Sequence, residues 1–384
     1  MSETTRIGII GDGQLGRMLT EAAHDLGFEE VYALGEAGPN SPAANVGAIQ
    51  IEGSIKDPDA IRSFVESVDV TTGEVEHINA DTLTQLEAEG YNIQPSPKSL
   101  AIIKDKLLQK DHLQQHGIPV GPYWSLSNEA DFAHAAQRFA GNLIVKARTG
   151  GFDGRGNYAV VEGAAWDDVL ARFSDANGDH PQLYVEKKLA FDREVAFVGA
   201  RTVGGHISAY PVVETIHTRH ICDETIAPAP NMNHQQSLRA KDLGQEVMKC
   251  FKGAGIMAVE MFEINGEYYV NEVAPRVHNS GHWTDYGAQT SQFHQHIRAI
   301  TDMPLGSTDM TAPTVVMKNI LGTRTIDNVP DFGDIAVPPE VQLRGYHKTP
   351  RLDRKIGHIT VPAQSVPTAL RLAHEARQAV QEVL

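Results

Sequence analysis

The segment VEMFEINGEYYVNEVAPRVHNSGHW (259–283) concentrates more potential chemistry than any other stretch of the chain. Two strand-like runs carrying Glu260 and Glu272 flank an Asn265-Gly266 turn. Two carboxylates on one face of such a hairpin can hold one or two hydrated Mg²⁺ ions against nucleotide phosphates. Turn length decides whether they share a face. A two-residue Asn-Gly loop pairs 264 with 267 and puts the glutamates on opposite faces. A three-residue loop, Ile264-Asn265-Gly266 with glycine in the left-handed region, puts them on the same face. The metal reading therefore predicts the three-residue turn. Asn271 adds a polar contact, and Arg276, His278, Asn279 and His282 fall within seven positions just beyond. Solubility alone does not explain that density, although some of these histidines can be satisfied structural groups.

A second phosphate-directed feature is GGFDGRG at 150–156, with four glycines in seven residues between runs that end at Lys146 and start at Asn157. The N–H groups of a Gly-rich hairpin can fold over nucleotide phosphates, with Arg155 adding charge. Lys106 and Lys146 can offset phosphate charge as ammonium groups. Taken by itself, such a segment is better explained as a flexible loop with surface lysines. A third feature is Gly11, Gly13 and Gly16, a G-x-G-x-x-G between a strand and a helix, with Glu36 at the end of the next strand. That is also the pattern of a dinucleotide-dependent oxidoreductase. Helix-start N–H groups hold any phosphate or polar ligand, however, so the motif does not identify the cofactor. Finally, Lys348, Arg351, Arg354 and Lys355 gather four cations within eight residues. They suit a substrate phosphate or, in isolation, a solvated basic turn.

These groups sit in an acidic chain of 384 residues whose formal net charge is −16. Nucleic acid and anionic membrane are repelled by most of such a surface, so neither is expected as a partner, whereas a small anion can be met by cations gathered locally. No run reaches the ~18 apolar residues of a membrane span. The N-terminus lacks a signal-peptide pattern. Two cysteines, Cys222 and Cys250, fit a reducing cytoplasm better than a disulfide framework.

Positioning these residues requires alternating strands and helices. RIGII (6–10), a helical run from Leu15 to Leu26, and VYALGE (31–36) form a β-turn-α-β order that predicts a parallel sheet covered on both faces. QPSPKS (94–99) is a boundary candidate. Beyond it the pattern predicts a helix over 100–116, then strands near 143–147, 157–161 and 182–186. A further unit from about 186 has strands 194–200 and 206–213, a helix 235–252, the paired strands 256–262 and 267–273, and a final helix 367–383. Three domains are expected, over 1–99, 100–185 and 186–384, in an α/β (α+β) fold.

Taken in order, GDGQLGRM (11–18), KARTGGFDGRGN (146–157), FDREV (191–195), IAPAP (226–230), NEVAPRVHNSGHW (271–283) and YHKTPRLDRKIGH (346–358) resemble the PurK family over nearly the whole chain. These are ATP-dependent 5-(carboxyamino)imidazole ribonucleotide synthases of the ATP-grasp superfamily. The resemblance implies an ATP-grasp fold with an N-terminal Rossmann-like substrate domain, a small central lid domain, and a C-terminal α+β domain carrying the metal site. It implies that ATP meets Lys106, Lys146, the loop Gly151, Phe152, Asp153, Gly154, Arg155, Gly156 and Asn157, the segment Glu186, Lys187, Lys188 and Leu189, then Glu194, His217, Asn271 and Glu272. Glu260 and Glu272 would bind Mg²⁺. The ribonucleotide would meet Gln14, Leu15, Glu74, Asn279 and Ser280, its phosphate Lys348, Arg354 and Lys355. Arg276 and His282 would lie near bicarbonate, with Lys348, Asp153 and Arg155 also among the catalytic groups. A cytoplasmic homodimer is implied as well.

The chain departs from the family pattern in three places. Phe152 replaces a tyrosine, Thr215 an asparagine, and Thr72-Gly73-Glu74-Val75-Glu76-His77 stands for T-F-E-x-E-N, which makes Glu76 a competitor of Glu74. A formate-dependent glycinamide ribonucleotide transformylase of the same superfamily is the nearest rival. The oxidoreductase is a more distant one.

Overall fold

The computed structural model describes residues 5–151, 156–161, 163–175, 178–333 and 335–383. Short apolar runs flanked by glycine turns give the first sheet: β1 (Ile7–Ile10), β2 (Val31–Gly35), β3 (Ile49–Glu52) and β4 (Val70–Gly73). They pair in parallel in the order β3-β2-β1-β4. Parallel pairing follows from the crossovers, helix Gln14–Asp25 between β1 and β2 and helix Pro58–Glu66 between β3 and β4. Ile7, Ile9, Met18, Leu19 and Val31 share one core with Val198, Ile256, Trp283, Phe293 and Met317. The N-terminal unit and the large sheet described below are thus one packed body.

The predicted helix over 100–116 is interrupted. Helix Pro97–Lys104 stops at Asp105, whose extended backbone lets its carboxylate accept from the N–H groups of Leu107 and Leu108 and start helix Lys106–Gln115. Arg148 closes on the same carboxylate at 2.6 Å, and Lys106 N–H donates to the Arg148 carbonyl at 2.8 Å. This new helix start is therefore tied to the second sheet.

That second sheet comprises β5 (Tyr123–Leu126), β6 (Leu143–Ala147), β7 (Asn157–Ala159) and β8 (Leu183–Lys187), ordered β5-β8-β6-β7 and antiparallel throughout. It has a core of its own, including Phe132, Phe139, Val145, Val169 and Val185.

The third sheet has nine strands: β9 (Arg193–Arg201), β10 (Ile207–Ala209), β11 (Val213–Thr218), β12 (Ile221–Ala227), β13 (Gly255–Ile264), β14 (Glu267–Ala274), β15 (Thr314–Leu321), β16 (Gln342–Gly345) and β17 (Lys355–Ala363). Its path runs β14-β13-β9-β11-β12-β15-β17-β16, with β10 on β9. The single strand predicted over 206–213 is two strands. Pro211 has no N–H for a ladder, and the chain turns there so that β10 and β11 each pair with β9. Helix His234–Cys250 packs on β9 and β13, and helix Val366–Val383 covers β15 and β17.

Candidate active site

The β13–β14 hairpin corrects one sequence expectation and preserves its consequence. Ile264 pairs with Glu267, so the loop has two residues, with φ of 52° at Asn265 and 79° at Gly266. This is the geometry that an Asn-Gly pair favours, and by itself it would separate the two glutamates. A β-bulge restores them. Met261 pairs with Val270, yet Glu260 pairs with Glu272, so Asn271 is a surplus residue in β14. Directly opposed residues of an antiparallel pair share a face. The shared face arises through the bulge and not through the turn. Val270, Asn271, Glu272, Val273 carried the signal, because two adjacent polar residues between valines break a period of two.

Helix Lys106–Gln115 holds this irregularity. Gln109 accepts from Val273 N–H at 2.9 Å and donates to the Val273 carbonyl at 3.2 Å, while Lys110 Nζ donates to the Val270 carbonyl at 3.1 Å. Outward-facing backbone groups of this edge strand are thus satisfied on both sides of Asn271.

Lys106 Nζ lies 2.8 Å from Glu272 Oε2. Burial pushes the Glu272 carboxyl up, but Lys106 outweighs it with help from Lys146, and the net pKa falls below the usual range. Glu260 goes the other way, to about 7, through burial and then the facing Glu272 charge. A divalent cation would relieve that repulsion. Among the described residues no group of three or more acidic, histidine or cysteine side chains forms a complete cage. Two carboxylates completed by nucleotide phosphates and water is the usual arrangement for Mg²⁺, so the donors fit that ion. Asn271 Oδ1 is buried beside them without a partner among the described residues.

Across the groove, Lys146 on β6 sits 3.1 Å from Glu186 on β8. Tyr184 donates to the same carboxylate at 2.6 Å, and Lys110 lies 3.5 Å away. Burial raises the Glu186 pKa, but Lys110 and Lys146 overcome it and hold the carboxyl at about 2. Lys110 lies one helical turn beyond Lys106. That i, i+4 spacing could have revealed it in the sequence. Lys187 and Lys188 are exposed and Leu189 is half-buried. His217 and Glu194, side by side on β11 and β9, approach to 3.3 Å. Gly156 precedes β7, whose first residue, Asn157, lies opposite Lys146. Gly151 is described as well, whereas Phe152, Asp153, Gly154 and Arg155 lie outside the described residues.

The glycine turn after β1 resolves differently from the dinucleotide pattern. Glu74, at the end of β4, accepts from Gly13 N–H at 2.7 Å and from Gly16 N–H. A side chain at Gly11 would collide with Glu74. This carboxylate occupies the seat that a pyrophosphate needs, so the turn is not arranged for a dinucleotide. Burial raises the Glu74 pKa, opposed by the two backbone donors and by Lys348. Lys348 Nζ bonds Gln14 Oε1 at 2.6 Å, and Leu15 packs against the shared core. Glu76 pairs with Arg276 at 2.7 Å. The two competing glutamates thus have separate partners.

After β14 the chain returns past Glu260. His278 Nε2 stands 3.7 Å from Glu260 Oε1, and its Nδ1 meets Ser280 Oγ at 2.9 Å. No specific role for His278 was drawn from the sequence, although its polar cluster was visible. Asn279 exchanges amide hydrogen bonds with the buried Asn319 at 2.7 and 3.1 Å. His282 is fully buried against Gln292, Phe293, Tyr346 and His358. Lys355, the first residue of β17, is close enough to Glu260 to lower its pKa. Arg354 is oriented by donating to the Thr349 carbonyl and hydroxyl at 3.0 and 3.2 Å.

Three family models match in succession: a ribonucleotide synthetase preATP-grasp domain over residues 4–104, an ATP-grasp domain over 111–293, and a phosphoribosylaminoimidazole carboxylase C-terminal domain over 315–371. The N5-carboxyaminoimidazole ribonucleotide synthase of Corynebacterium ammoniagenes is 34% identical over 96% of this chain and 90% of its own length. The chain belongs to the PurK family. The phosphoribosylaminoimidazole carboxylase of Ogataea methanolica is 38% identical over 97% of the chain, and the match spans 69% of that longer protein. Other fungal relatives are spanned over 64–66% of their length. The Aspergillus clavatus carboxyaminoimidazole ribonucleotide synthase complexed with ATP superposes with a TM-score of 0.90 at 31% identity, covering 100% of both chains. Its complex with ADP and 5-aminoimidazole ribonucleotide gives 0.87, again at 31% identity and full coverage of both. PurK proteins are ATP-dependent ligases with the ATP-grasp fold, and this chain is an enzyme of that class.

Proposed function

We propose that the chain carboxylates the amine of 5-aminoimidazole ribonucleotide with ATP and bicarbonate, giving 5-(carboxyamino)imidazole ribonucleotide, ADP and phosphate for purine biosynthesis. The observation that carries this reading is the bulge-enforced pairing of Glu260 with Glu272 beside Lys106. In the first step a bicarbonate oxygen attacks the γ-phosphorus of ATP, the bond to the bridging oxygen breaks, and ADP leaves. The product, carboxyphosphate, replaces a hydroxide leaving group by phosphate. In the second step the bond from the carboxyl carbon of carboxyphosphate to its phosphate oxygen breaks and phosphate departs, the substrate amine forms the new N–C bond either by attacking that carbon directly or by attacking the CO₂ so released, and the amine loses a proton.

Lys106 and Lys146 offset phosphate charge. Glu186 through Leu189, Glu194, His217, Asn271 and Glu272 line the nucleotide with segment 151–157, and the glycine loop 150–156 is the lid that excludes water from a readily hydrolysed intermediate. Mg²⁺ held by Glu260 and Glu272 would supply charge neutralisation between two anions. Gln14, Leu15, Glu74, Asn279 and Ser280 face the ribonucleotide, with Lys348, Arg354 and Lys355 on its phosphate. Arg276 and His282 serve the bicarbonate end. Three functional units, 1–99, 100–185 and 186–384, are supported by the three sheets. A cytoplasmic homodimer is part of the same reading, in keeping with two unpaired thiols and with the family. The deciding experiment is ADP release, which must depend on both bicarbonate and aminoimidazole ribonucleotide. Release that depends instead on formate and glycinamide ribonucleotide would replace this function by transformylation.

A further inference from the structure

Gln292 opens helix Gln292–Ile300, fully buried and outside every group assigned above. Its side chain is saturated by one short stretch of the site. Its Oε1 accepts from His278 N–H at 2.9 Å, and its Nε2 donates to the His278 carbonyl at 2.8 Å. The same Nε2 donates to His282 Nδ1 at 2.9 Å. Its own backbone N–H is taken by Thr284 Oγ1, which donates in turn to the Gly281 carbonyl. A side chain at Gly281 would strike the Gln292 amide, so the glycine is needed for the amide to enter. Because the amide nitrogen must donate to both acceptors, its orientation is fixed. His282 Nδ1 is then an acceptor, and the ring proton lies on Nε2.

We propose that Gln292 is a positioning residue: by gripping both backbone polar groups of His278 and one nitrogen of His282, it sets the His278 imidazole beside Glu260 and holds segment 276–282 in register with the carboxylate pair. This rests on the carboxylation reading above. The nucleotide phosphates face Lys106 and Lys146 on other elements, so loss of the clamp changes the acceptor end of the site and leaves ATP binding intact. An ångström-scale displacement of reacting groups costs on the order of 10²-fold in rate.

Two measurements on the full chain test this. The first is steady-state ADP release with ATP and ribonucleotide each varied. In Gln292→Leu, which keeps volume and loses all three polar bonds, kcat should fall at least about tenfold with KM for ATP unchanged. Gln292→Glu keeps only the bond from His278 N–H and should be impaired in the same sense; it decides the matter if the leucine variant does not fold. Wild-type kcat in either folded variant, or a rise in KM for ATP matching the loss of kcat, overturns the proposal. The second measurement is the ¹⁵N long-range spectrum of His282 in the wild-type protein. The Nε2–H tautomer supports the clamp and the Nδ1–H tautomer overturns it, whatever the substrate proves to be. A wild-type chain with that tautomer but without ribonucleotide-dependent ADP release would sink the carboxylation reading alone.

Discussion

Glu260 and Glu272 are chemically alike and electrostatically opposite. One is held near neutrality at about 7 by burial and its neighbour, and the other is ionised by contact with Lys106. Replacing Glu272 with alanine leaves the Lys106 ammonium without its carboxylate and removes one of the two proposed metal donors. We expect Glu272→Ala to lower ATP turnover by about 10²-fold or more, the scale of losing a charge-stabilising group in a desolvated site, with a far-UV spectrum like that of the parent. Near-normal ADP release would exclude the carboxylate from the metal site. Arg354, already oriented by Thr349, is expected to act elsewhere: Arg354→Ala should raise KM for the ribonucleotide far more than KM for ATP. Equal effects on both would remove it from the substrate phosphate.

At the scale of the element, the hairpin separates what sequence patterning can deliver from what it cannot. Strands β13 and β14 and the Asn-Gly turn were legible, since alternating apolar residues and a positive-φ dipeptide leave few options. The bulge left only one local sign, the adjacent polar Asn271 and Glu272 between valines, because its stability comes from Gln109 and Lys110, more than 150 residues earlier in the chain, satisfying groups on either side of Asn271. Likewise the break at Asp105 was hidden inside a continuous helical pattern, because the capping carboxylate is fixed by Arg148 from another sheet. The occupied glycine turn depends on Glu74 folding back over 58 residues to Gly16. The fold class, the facing carboxylates and Lys106 and Lys146 beside them were recoverable, whereas long-range side-chain-to-backbone bonds were not. Deleting Asn271 should therefore close the bulge and leave Glu272 directly opposite Glu260, on the same face. Calorimetry should show Mg²⁺-dependent ATP affinity retained in the deletion variant, and its loss would mean that the bulge or the Asn271 amide is itself required.

For the whole molecule, the shared core and the buried histidines couple stability to acidity. His296 joins two sheets, with Nε2 2.8 Å from Thr72 Oγ1 and Nδ1 accepting from Ile256 N–H at 3.1 Å. Burial holds its pKa near 4, and burial with Arg344 nearby holds that of His358 near 3. Both are depressed below the ordinary 6.5, so the unfolded chain binds these protons first. Their contribution is unaffected above 6.5 and becomes destabilising as pH falls toward 4 and then 3, by up to about 1.4 kcal/mol per pH unit for each ring. Asp285, raised to about 6 by burial and Asp25, works in the opposite sense between 3.8 and 6. The melting temperature should drop from pH 6.5 to 4, with a shallower slope in His296→Asn. An identical slope would show that His296 does not titrate with unfolding.

The carboxylate seated on the first glycine turn also has a pharmacological corollary. Compounds that imitate nicotinamide or flavin dinucleotides depend on an open cradle at a helix start, and here an internal acid already fills it. Such compounds should not compete for that end of the enzyme. Selective inhibitors would do better to displace the Gln14–Lys348 contact beside it, which generic dinucleotide enzymes have no reason to share.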